Sequence, residues 1–139
     1  MSSAKNLGWK KLSQKEIRLN RFWTIRKVRY RLPTGVVGDF YLKRAGIIVA
    51  ALVLTKNKKV VLVEQFRPGP ERVLWELPGG AAEKDETPRQ AITRELLEET
   101  GYRGVIRRVG ESTNNSYSTL WRTHFVITNA EKVAEPHFD

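Results

Sequence analysis

The most apolar stretch of the chain, Gly46 to Leu54, is nearly continuous Ile, Val, Ala and Leu. A run of that length with no polar alternation predicts a strand covered on both faces, and therefore a central one. Before it the pattern is different. Phe22 to Leu32 mixes aromatic and β-branched residues with Arg and Lys at period two, which sets Phe22, Thr24, Arg26, Val28 and Tyr30 on one face and Trp23, Ile25, Lys27 and Arg29 on the other. Pro33-Thr34-Gly35 supplies a turn and Val36 to Leu42 a returning strand, so a β-hairpin is predicted ahead of the central strand. Met1 to Lys15 is polar and basic except for Leu7, Trp9 and Leu12, and reads as a loosely held arm anchored by Trp9.

After the central strand, Lys56 to Lys59 turns the chain and Val60 to Gln65 returns as the next strand. Arg67 to Arg72 is a Pro/Gly loop, Leu74 to Leu77 a short strand, and Gly79-Gly80 allows a tight backbone turn. The period then becomes helical. Thr87 is a capping residue, Pro88 suits the first helical position, Gln90 completes a capping box, and Gly101 offers the left-handed residue that ends the helix. At about 100° per residue, Ile92 and Leu96 share a stripe, and Glu99, Glu95, Ala91 and Glu98 follow around the same side. Val105 to Val109 and Leu120 to Thr128 read as further strands separated by a polar loop, Glu111 to Ser118. There is no internal repeat, low-complexity segment or interdomain linker.

Composition bounds this picture. A chain of 139 residues with 40% hydrophobic content suits one core. Without cysteine there is neither a disulfide framework nor a thiolate metal site, and a reducing compartment is the simpler expectation. Gly46 to Leu54 is too short to span a bilayer and the first 20 residues lack the apolar core of a signal peptide, so a cytoplasmic protein without a membrane partner is expected. The formal net charge of +10 lies entirely before residue 45, where twelve Lys and Arg face only Glu16 and Asp39. Such a basic segment is a solvated surface, an attractor for a diphosphate substrate, or a nucleic-acid footprint.

The acids are concentrated elsewhere. Glu83, Asp85, Glu86, Glu95, Glu98 and Glu99 crowd one loop and helix, where they repel one another and oppose the helix dipole at its C-terminal end. A cation is therefore expected among them. Carboxylates at the edge of a buried face favour a metal site at a pocket margin, and a hard cation such as Mg²⁺ takes oxygen ligands while bridging to substrate phosphates.

Gly80, Glu86 and Arg94-Glu95-Leu96-Leu97-Glu98-Glu99-Thr100-Gly101-Tyr102 together resemble a complete Nudix box, the signature of hydrolases of nucleoside diphosphates linked to another group. The flanks Val60 to Gly69 and Leu74 to Gly80 are similar to the branch of ADP-ribose pyrophosphatases and nucleoside-diphosphate-sugar hydrolases. The resemblance covers about residues 20 to 130. It implies an α/β (α+β) Nudix fold, a mixed sheet between helices, with residues 1–44 as an arm and hairpin that mediates homodimerisation and 45–139 as the hydrolase domain. In that fold a further strand and C-terminal helix follow, which this chain, ending at Asp139, is expected to lack.

The resemblance also implies a chemistry, the Mg²⁺-dependent attack of water on a diphosphate, with Mn²⁺ as a substitute. Its metal ligands would be Glu95, Glu98, Glu99 and the Gly79 carbonyl, with Glu86 and Arg94 holding them in place, and Arg94 within reach of Glu98. The base would be Glu131, Glu135, a residue beyond Asp139, or a box glutamate. Arg67 is a candidate for phosphate or ribose, or else a salt-bridge partner of Glu76 or Glu71. Glu76 and Trp23 complete the candidate substrate contacts; Trp23, Trp75, Tyr117 and Trp121 are all candidates to stack a base, although aromatics at strand spacing more often belong to a core. His124 reads as structural. Other Nudix substrates (a dinucleoside polyphosphate, a damaged nucleoside triphosphate, a 5′-RNA end) and a nucleic-acid-binding module using the basic hairpin are the alternatives.

Overall fold

A computed structural model describes residues 6–21, 23–113 and 115–137. Met1 to Lys5, Phe22, Asn114, Phe138 and Asp139 lie outside the described residues. The chain divides into two compact units, one of residues 1–45 with 113–120 and one of residues 46–112 with 121–139.

The first unit is an antiparallel sheet of β1 (Lys10–Arg18), β2 (Thr24–Arg31) and β3 (Val37–Arg44) in sequence order. It has three strands rather than the two of the predicted hairpin. Part of the expected arm pairs along β2 from Lys10 opposite Arg31 to Arg18 opposite Thr24, with one register shift between Lys11 and Ser13. Residues 10–18 carry no apolar alternation, so their strand character comes from backbone pairing and not from a buried face of their own. Trp9 does anchor the start. Its ring meets those of Tyr30 and Phe40 edge-on at 5.7 and 5.4 Å, and Tyr30 and Phe40 meet each other at 5.8 Å, a geometry favoured by ring quadrupoles. Residues 117 and 119 bond to the backbone of Lys43 on β3.

The second unit is built on β4 (Ile47–Thr55), followed by β5 (Val60–Val61), the hairpin β6 (Val63–Arg67) with β7 (Arg72–Glu76), the short β8 (Gly79–Ala81), the helix α1 (Pro88–Thr100), β9 (Tyr102–Thr113) and β10 (Trp121–Lys132). The main sheet runs β5-β4-β10-β9, with β8 also on β4. β4 is central, as its apolar run predicts. It pairs in parallel with β10 and antiparallel with β5 and β8, which makes the sheet mixed. The predicted strand from Val60 to Gln65 is instead broken at Leu62, and its second half pairs with β7 in a separate two-stranded sheet. The first three residues of the expected polar loop, Glu111 to Thr113, belong to β9.

The helix buries Ala91, Ile92 and Leu96 against Val49, Ala51 and Val53 of β4 and Phe125, Ile127 and Ala130 of β10. Thr87 and Gln90 form the capping box, Pro88 opens the helix, and Gly101 closes it at φ 74°, its N–H donating to Leu97. Only one face of β4 is sealed. Ile48, Ala50 and Leu52, on the other side, are partly or fully exposed, so the continuous apolar run does not mean burial on both faces here. Among the described residues α1 is the single α-helix, covering one side of the sheet, and the second helix that the chain is expected to lack is not among them. Among the described residues no helix is long and apolar enough to cross a membrane.

Ile92 is fully buried between the two central strands. Ile92→Ala should lower unfolding stability by about 2–5 kcal/mol, because the packed sheet cannot close the cavity it leaves. Urea unfolding checks this.

Candidate active site

The site is assembled around β8, whose two glycines permit contacts that no other residue would. A Cβ on Gly79 would stand 2.1 Å from the Val49 carbonyl oxygen, so β8 could not pair with β4. A Cβ on Gly80 would stand 2.4 Å from Oε1 of Glu95. The helix carboxylate therefore lies directly against the strand backbone. One turn on, Glu99 accepts a hydrogen bond from the Gly79 N–H at 2.9 Å and another from Nε2 of Gln65 at 3.3 Å.

The positive charge expected among the acids is Arg94. Its Nε and Nη2 donate to the two oxygens of Glu86, both at 3.1 Å, Nη1 donates to Glu98 at 2.9 Å, and Nη2 also reaches the Ala81 carbonyl at 3.1 Å. Glu95 Oε1 is 3.1 Å from Nη1. One guanidinium thus gathers three carboxylates, which its fixed fork of donors suits better than an ammonium would. These bonds hold the Glu86 carboxyl below its ordinary range and raise the affinity of Arg94 for its proton. Glu95 and Glu99 shift the other way. Burial pushes both carboxyls up, and the Glu95 charge adds to the shift at Glu99. Two half-buried carboxylates whose ionised forms are disfavoured by desolvation and by each other fit a hard divalent cation. The donor set is oxygen, as Mg²⁺ requires. Among the described residues no three acids already converge as a metal cage, since Arg94 engages Glu98 and Glu86.

β8 also walls a cavity of about 650 Å³, lined by Ile48, Ala50, Arg67, Glu76, Gly80, Arg122 and His124 among others. Arg67 and Glu76 form a bidentate pair across the β6–β7 hairpin, with Nε to the carboxylate oxygens at 3.1 and 2.9 Å. Both readings of Arg67, salt bridge and cavity residue, describe its position. Arg122 has no such acceptor: its Nε is buried without a hydrogen-bond partner. His124 Nε2 lies 2.7 Å from Ser112 Oγ. Sequence reasoning passed over Arg122 and assigned His124 a structural role. Their signal was the alternation of β10, where Thr123, Phe125 and Ile127 are buried and the intervening residues face the opposite side of a central strand.

Several candidates fall elsewhere. Trp23 belongs to the first unit, with the Lys43 ammonium 3.8 Å from its ring centroid. Trp75, Tyr117 and Trp121 are exposed at 67%, 62% and 53%, and Trp23 at 44%, which corrects their reading as core. Glu131 pairs with Lys56 and Glu135 with Lys132, both in exposed ion pairs, and neither lines the cavity.

The model of the NUDIX domain matches residues 44–137. The chain is 36% identical over 98 residues to the methanol dehydrogenase activator of Bacillus methanolicus, covering 67% of this chain and 53% of that protein. It is 41% identical over 71 residues to the ADP-ribose pyrophosphatase of Bacillus subtilis (51% and 38%) and 37% identical over 60 residues to the CTP pyrophosphohydrolase of Escherichia coli (43% and 44%). It thus spans about half the length, or less, of these relatives. The crystal structure of an ADP compounds hydrolase superposes with a TM-score of 0.80 at 18% identity, over 94% of this chain and 72% of that one, and shows that the fold is shared. With the box helix set against its glycine strand and the domain model covering most of the chain, this protein belongs to the Nudix family.

Proposed function

We propose that the protein is a Mg²⁺-dependent pyrophosphohydrolase that cleaves the diphosphate of ADP-ribose or a related nucleoside-diphosphate sugar. The observation that carries this reading is the box helix laid against β8, which sets Glu95 on the Gly80 backbone and Glu99 on the Gly79 N–H, while the same strand walls a cavity lined by Arg67 and Arg122. Arg67 is bonded to Glu76, and the Glu76 charge also acts on Arg122, so two arginines share one acid and leave a positive charge that suits a diphosphate.

Glu95, Glu98, Glu99 and the Gly79 carbonyl are the groups that would hold the metal. When bound, the divalent ion supplies charge neutralisation for the phosphoryl oxygens and lowers the pKa of a coordinated water. The chain's own residues do the rest. Arg94 fixes Glu98 and Glu86 so that neither swings away, the Gly79 N–H and Gln65 fix the Glu99 carboxylate, and Arg67 and Arg122 orient the anionic substrate on the far side of β8. The similarity to an ADP-ribose pyrophosphatase supports the sugar branch, while the CTP pyrophosphohydrolase among the relatives keeps a nucleoside triphosphate as the second reading.

Product analysis distinguishes them. With Mg²⁺ present, ADP-ribose should yield AMP and ribose 5-phosphate, and Glu99→Gln should reduce turnover at least about 100-fold. Cleavage of CTP but of no sugar diphosphate would sink the substrate assignment and leave the box chemistry standing.

A stability measurement examines the electrostatics separately. The folded-state pKa of Glu99 is raised, so its ionised form destabilises the metal-free protein above that pKa, and the penalty lifts as pH falls through it. In EDTA at pH 7, Glu99→Gln should melt at or above the wild-type temperature, with the difference narrowing toward pH 5. A clearly lower Tm for the variant at pH 7 would show that the carboxylate stabilises the fold without metal.

A further inference from the structure

The sheet of the first unit has two dissimilar faces. The cross-strand register puts Lys10, Lys15, Lys27, Arg29, Arg31 and Lys43 on one of them, and the only acid on that face is Asp39. Asp39 is already shared, at 2.7 Å from Lys27 Nζ and 2.7 Å from Arg29 Nε. The other face carries Tyr30, Phe40 and the buried Val28, with Lys11, Arg18, Arg26 and Arg44 beside the single acid Glu16. A solubilising surface would mix signs, because clustered like charges repel. This face does not mix them.

Two aromatic rings stand among the cations. Tyr41 is 55% exposed, with Lys27 Nζ 5.4 Å from its ring centroid, and Trp23 is 44% exposed beneath Lys43. Tyr41 and Lys43 are two residues apart on one strand, about 7 Å, and Lys27 is directly across from Tyr41. Each ring thus carries an ammonium over one of its faces, which leaves the opposite face for a base, and the pairing repeats.

We infer that this face binds single-stranded nucleic acid, with bases stacked on Tyr41 and Trp23 and phosphates held by the surrounding lysines and arginines. Stacking on exposed rings within a positively charged surface is how proteins hold unpaired bases, because every base has a π-face and every nucleotide a phosphate. A duplex conceals its base faces and gains only the charge contacts. A second copy of the same face would bring six cations against six. An anionic membrane would use the charge, but rings that each lie under an ammonium group are poorly placed to enter the acyl region.

The test is fluorescence anisotropy of the full chain, in EDTA, with a labelled twelve-nucleotide oligouridylate, the same length of duplex, and phosphatidylserine vesicles by co-sedimentation. The single strand should bind more tightly than the duplex. Its affinity should fall between about 50 and about 200 mM salt with a log–log slope of roughly −0.7 for each phosphate contacted. Tyr41→Ala should weaken binding about tenfold at unchanged slope, and Lys15→Glu should flatten the slope. Both side chains are exposed, and unchanged melting curves will show that the sheet is intact. Equal binding of duplex and single strand, binding to vesicles alone, or affinities that neither substitution moves would each overturn the inference.

Discussion

The approach of β8 to the helix is the constraint from which the site follows. The two glycines let the strand backbone lie against β4 on one side and against the Glu95 carboxylate on the other, with nothing between. Because the Gly79 N–H is turned toward Glu99, the same strand that completes the sheet also orients the second carboxylate. Sheet pairing, helix docking and the position of two acids are thus one structural fact. Any side chain at either glycine must undo part of it.

Charge is divided between the two units, and the division has different consequences in each. On the helix Arg94 gathers Glu86, Glu95 and Glu98, and Glu95 and Glu99 are the pair whose ionised forms burial disfavours. Desolvated carboxylates of this kind would suit a divalent cation. In the N-terminal sheet nothing comparable balances the excess: Glu16 is shared by Arg26 and Arg44, and Asp39 by Lys27 and Arg29.

Much of this was legible in the sequence where local rules act. The box helix announced itself through Thr87, Pro88, Gln90 and Gly101, and the Ile92–Leu96 stripe gave its buried face. The central strand was equally clear from Gly46 to Leu54. What could not be read was pairing without a pattern. β1 is a strand because β2 offers it a partner, and its own residues, mostly Lys, Ser and Gln, carry no alternation that says so. The break at Leu62 and the open side of β4 depend on what packs nearby, which periodicity does not encode. Arg122 and His124 were hidden for a related reason. A polar residue on a strand is ordinary until the cavity beside it is seen.

The most direct test of the account is Gly80→Ala, assayed for Mn²⁺ affinity, for ADP-ribose turnover in Mg²⁺, and for melting temperature. The added methyl would occupy the place of the Glu95 carboxylate, while the flexible Glu95 side chain could swing aside and leave the fold in place. The account predicts a protein that melts within a few degrees of wild type, yet loses at least about tenfold in metal affinity and more in turnover. Wild-type metal binding and hydrolysis in the folded variant would contradict it.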